Sequence, residues 1–103
     1  MAAPYNPPIK GEDFVIRIAL NDASDPKSFK SNPTLAAGDF KVDLDGGGLN
    51  NLATTPSCTG ANVLVKITLS STEMNGDVIT VVGIDQTATK EWADFCFSIP
   101  TTT

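Results

Sequence analysis

The sequence predicts an all-β fold, an Ig-like or jelly-roll-like two-sheet antiparallel β-sandwich with an extended Pro-rich N-terminal arm. Three observations carry that expectation. Apolar and polar residues alternate over several short runs, Gly, Pro, Asn and Asp punctuate the chain between them, and proline is concentrated near the N-terminus as Pro4, Pro7 and Pro8. About six or seven short strands at intervals of about ten residues are the pattern of two packed sheets. Sandwiches of this kind do not require an Ig-type disulfide, and no longer period repeats as it would in a solenoid.

The chain has 103 residues, of which 41% are hydrophobic and 18% charged, enough to bury one core and too little for two domains. The expected organisation is an extended arm over 1–12, a sandwich over 13–100 and a short tail over 101–103. Proline fixes φ and removes a backbone donor, so the arm is read as neither helix nor central strand.

The elements follow in order. Phe14, Ile16, Ile18 and Leu20 share one face of a half-buried strand, with Val15, Arg17, Ala19 and Asn21 on the other. Asn21 to Asn32 is rich in loop formers and is followed by Pro33, and Phe29 is expected to pin this loop to the core. Phe40, Val42 and Leu44 alternate with Lys41, Asp43 and Asp45 before Gly46-Gly47-Gly48, and Leu49 to Ala53 resumes the strand pattern. Asp-Gly between two such runs predicts an antiparallel hairpin, because glycine accepts the positive φ of the turn. After a loop over 54–62, Val63, Val65, Ile67 and Leu69 form the next inward face. Ser70 stands three residues before Glu73, as in a capping box, and Gly76 can end a turn, so one helical turn is expected there. Val78 to Ile84 is apolar on both sides and reads as a central strand covered on both faces. Trp92 to Ile99 reads as the last strand, with Ala93, Phe95, Phe97 and Ile99 on one face and Trp92, Asp94, Cys96 and Ser98 on the other, and Pro100 ends it.

Chemistry is hard to find in this chain. It has no histidine, which removes the commonest general base and transition-metal ligand. Cys58 and Cys96 are its only cysteines, too few and too far apart for zinc. Without an export signal they are read as free thiols, Cys96 in a strand and Cys58 in a loop. Gly46 to Gly48 lacks the Lys-Ser or Lys-Thr of a phosphate loop. Asp43-Leu44-Asp45-Gly46 resembles the start of a calcium loop, yet no bidentate Glu follows, and an exposed strand face ending in a turn accounts for every residue. Nothing selects a pair among the twelve Asp and Glu residues as a glycosidase-type acid and base. The reading is therefore non-enzymatic, with no catalytic residue, cofactor or metal.

Seven Lys and Arg against twelve Asp and Glu give a net charge of -5, with no basic cluster, so nucleic acid is not an expected partner. No apolar run reaches the ~18 residues of a bilayer-spanning helix, and the N-terminus lacks the basic head and apolar stretch of an export signal. No membrane association is expected, and the protein is expected to be made and kept in a cytoplasm or to leave it by lysis. Large aromatics anchor interfaces, which makes Tyr5 in the arm a candidate partner contact together with Pro7, Pro8 and Ile9. Trp92, between Glu91 and Asp94, reads first as core packing and second as a partner contact.

From Phe14 to Ile99 the chain resembles small proteins encoded among the head and tail genes of tailed bacteriophages. The likeness is carried by Asp22-Ala23-Ser24-Asp25, Phe29-Lys30-Ser31-Asn32-Pro33, Ala37-Gly38-Asp39-Phe40-Lys41-Val42 and Asp45-Gly46-Gly47. It continues in Asn51-Leu52-Ala53-Thr54, Val65-Lys66-Ile67-Thr68-Leu69-Ser70, Glu73-Met74-Asn75-Gly76-Asp77 and Glu91-Trp92-Ala93-Asp94. These motifs are short, and the proline arm is outside the shared pattern. The resemblance implies a virion structural protein assembled in the host cytoplasm. Its expected partners are the major capsid protein or other virion proteins, and it is expected to form a homo-oligomer. A capsid decoration or cement protein is the first expectation; a tail, baseplate or fibre-attachment adaptor is the alternative.

Overall fold

The computed structural model describes residues 7–58 and 63–102, which form β1 (Phe14–Ala19), β2 (Phe40–Leu44), β3 (Leu49–Asn51), β4 (Ser57–Cys58), β5 (Leu64–Leu69), β6 (Val78–Gly83) and β7 (Phe95–Pro100). One sheet has the order β1-β5-β4 and the other β3-β2-β6-β7. Every strand pair is antiparallel. The two sheets pack as the sandwich that the alternation predicts.

Register follows from that alternation. β1 lies on β5 with Phe14 opposite Leu69, Ile16 opposite Ile67 and Ile18 opposite Val65, so both strands turn their apolar sets to the same side. The core joins Val65, Ile67 and Leu69 to Phe40, Val42, Ile79, Val81 and Ile99 of the facing sheet, and Leu20, Met74 and Trp92 complete it. Phe95 touches Phe40 and Trp92 with ring centroids 5.5 and 6.1 Å away, and its ring lies over the buried Gly83. An added Cβ at Gly83 would stand 2.0 Å from the Phe95 ring, so only glycine fits there.

The β2–β3 hairpin forms at Asp45 to Gly48. Asp45, Gly46 and Gly48 all take positive φ, and the Asp43 carboxylate accepts the N–H groups of Gly46 and Gly48, both at 2.7 Å.

Four expectations need correction. Phe29 does not pin its loop: residues 20–30 fold back as a small hairpin, with Lys30 N–H donating to Leu20 and Asp22 N–H to Ser28. That pairing sets Phe29 opposite the exposed Asn21 and leaves it 58% exposed. The two sides of β6 are not both covered, because Val78 is 42% and Ile84 37% exposed while Ile79 and Val81 are buried. β6 is central only in the hydrogen-bonding direction, and a sandwich covers one side of each sheet. Cys58 belongs to β4, paired with Val65, and not to a loop. Trp92 precedes the last strand, held by an isolated bridge to Asp22, and β7 itself starts at Phe95. The expected single helical turn forms: the capping box closes, with Ser70 N–H donating to Glu73 Oε1 at 2.9 Å and Glu73 N–H to Ser70 Oγ at 3.2 Å. No helix grows from it; Met74 N–H reaches Ser70, and Asn75 N–H already falls back to Thr72.

Candidate functional site

Strand direction separates the loops into two groups. At one end the β1–β2 loop and the β6–β7 loop meet; at the other the β2–β3 hairpin and the β5–β6 turn meet the segments 8–11 and 101–102. Carboxylates accepting backbone N–H groups hold each group together.

At the first end Asp85 and Asp39 are both only 2% exposed. Asp85 accepts Glu91 N–H, Thr87 N–H and the Thr87 hydroxyl. Burial raises its pKa, but the hydrogen bonds from Glu91 and Thr87, with the charge of Lys90, outweigh it and leave the carboxyl below its ordinary value. Asp39 accepts Ala36 N–H and Gln86 N–H, joining the two loops. The bridge Asp22 to Trp92, the bond from Ala93 N–H to Asn21 and that from Trp92 Nε1 to Thr34 complete the seam. Asp22 is also held below its ordinary value by the hydroxyl and N–H of Ser24. From this tied base the side chain of Phe29 projects into solvent.

At the other end Asp45 accepts Val78 N–H at 2.9 Å and Asp77 N–H at 2.9 Å, and these bonds lower its pKa. Glu73, 8% exposed, spends its second oxygen on Ala53 N–H at 2.9 Å. Each of these acids is occupied as a loop clamp, and the Asp43–Asp45 pair serves two different sets of amides. Among the described residues no group of three or more His, Cys, Asp and Glu is placed to hold a metal.

The contact candidates are dispersed. Tyr5 lies outside the described residues. Pro7, Pro8 and Ile9 are half-buried, and Ile9 runs parallel to Thr102: Thr102 N–H donates to Pro8, Lys10 N–H to Thr102 and Gly11 N–H to Met74. Pro8 to Gly11 is therefore bound to the body of its own chain. Trp92 is 0% exposed, with its ring 5.4 Å from Phe40, so it packs the core, the first of its two expected roles.

Two features escaped sequence reading. The exposed Phe29 gave no signal, because an aromatic in a polar loop is usually a core anchor. The Asp85 clamp did leave one: Asp-x-Thr at 85–87, like Asp-x-Ser at 22–24, is the spacing of an Asx turn. Comparison with protein-family models, curated proteins and solved structures gave no match for this chain.

Proposed function

We propose that this chain is a non-enzymatic virion structural protein that decorates and cements a capsid shell. One observation carries the non-catalytic part: the buried carboxylates Asp39, Glu73 and Asp85 are all committed to backbone N–H groups. A carboxylate so occupied is a structural clamp, not a base waiting for a substrate proton. The resemblance over Phe14 to Ile99 supports the virion part. A rigid sandwich with exposed apolar side chains at Val15, Phe29, Leu49 and Leu64 suits attachment to a larger surface.

The adaptor reading draws on Phe29, which stands on clamped loops at one end of the sandwich, where binding loops of such folds collect. Copy number separates the two. Quantitative mass spectrometry of purified particles against the major capsid protein should find this chain at a large fraction of the capsid stoichiometry. A few copies per particle would move it to the tail or neck, and its absence from particles would end the virion reading.

A further inference from the structure

Strands at sheet edges carry unpaired backbone groups, and proteins protect them by brevity, proline, charge or cover. Here β3 and β4 are short, with three and two residues, and β7 ends in Pro100. β1 is different: it has six residues, no proline, and β5 as its one sheet neighbour among the described residues. Its protection is a single charge, Arg17.

The outward side of this edge reads Asp13, Val15, Arg17. All three are exposed, Val15 by 41%. Neither the Asp13 nor the Arg17 side chain has a hydrogen-bond or ion-pair partner among the described residues. Arg17 instead stands directly opposite Lys66 of β5, a like-charge pair that is unfavourable across strands.

We propose that β1 pairs antiparallel with β1 of a second copy of this chain, about a two-fold axis at Val15. In that register Val15 meets Val15, Phe14 meets Ile16, and Asp13 meets Arg17, the last two pairs occurring twice by symmetry. The partner's Asp13 then sits beside the Arg17–Lys66 pair and offsets its repulsion, so the charge that guards the free edge becomes the one that selects its partner. Only this register does so. Sliding to the next allowed register in one direction sets Arg17 against Gly11, and in the other against Val15. A further slide sets Arg17 against Arg17. Intermediate registers put the outward N–H and C=O groups out of phase and reverse the sides. The product joins three strands from each copy into one continuous sheet, and it does not depend on the virion reading.

Sedimentation equilibrium of the full chain tests this. The wild type should be a dimer. Asp13→Arg and Arg17→Asp should each raise the dimer Kd by about tenfold or more, and the double variant D13R/R17D should recover wild-type association. Both positions are exposed, so circular dichroism should find each variant folded. A monomeric wild type, a dimer indifferent to the single reversals, or a double variant no better than the singles would overturn the proposal.

Discussion

Asp85 holds Glu91: its Oδ2 accepts the Glu91 backbone N–H at 2.8 Å from a position only 2% exposed. The other oxygen takes both donors of Thr87, so one side chain shapes the whole β6–β7 loop that carries Trp92 into the core. Asp85→Ala would leave these donors without their acceptor and should cost about 2–3 kcal/mol. Urea denaturation followed by the fluorescence of the single tryptophan reads this directly. A loss within about 0.5 kcal/mol, the range of ordinary surface changes, would show that the loop is held by other means.

Asp22, Asp45 and Asp85 all have depressed carboxyl pKa values in the folded chain. A depressed folded value contributes stability that is complete above the unfolded pKa of about 3.9 and is lost as pH falls through the folded value. Thermal stability should therefore be nearly flat from about pH 5 to pH 7 and fall below about pH 4. Asp85→Asn should lower the plateau and flatten the acid limb, because it removes one of the titrating clamps. An acid limb as steep as wild type in that variant would assign the transition to other groups.

Gly83→Ala should destabilise by about 1–3 kcal/mol through overpacking, since the new methyl meets the Phe95 ring. Relief should come from the neighbour: Phe95→Leu in the Gly83→Ala background should cost less than Phe95→Leu alone plus Gly83→Ala alone. Strict additivity in the double-mutant cycle would place the strain elsewhere.

Truncation distinguishes the arm from the body. Deleting residues 1–6 spares the bonds of Pro8, Lys10 and Gly11 to Thr102 and Met74, so the melting temperature should stay within a degree or two of wild type. Deleting 1–12 removes three of these bonds, at about 1 kcal/mol each, and should lower it by several degrees. Equal melting temperatures for the two truncations would mean that the paired segment contributes nothing.

Much of this fold is legible because strand faces obey a simple period. Val65, Ile67 and Leu69 alternate, and a one-residue slip would expose all of them, so their register is overdetermined. The hairpin at Asp45 to Gly48 is equally local, since positive φ and glycine identify each other. Phe29 was misread because its environment is set by which residues pair across a loop, and composition carries no record of that pairing. β6 was misread because Val78 and Ile84 look like core residues until the sheet is known to have a single covered side. The clamp at Asp39 reaches across to Gln86, while the one at Asp85 closes on Thr87 and Glu91 within its own loop. Their acceptors are recognisable in the sequence, while their donors, being backbone N–H groups, are chemically identical everywhere along the chain.

The parallel pairing of Ile9 with Thr102 has a mechanical side. In a parallel pair the chain leading into Ile9 departs opposite to the chain leaving Thr102, so tension between the two ends slides the strands lengthwise. The bonds of Pro8 and Lys10 to Thr102 then bear load together instead of opening one after another, and the fold meets a pull on its termini in shear.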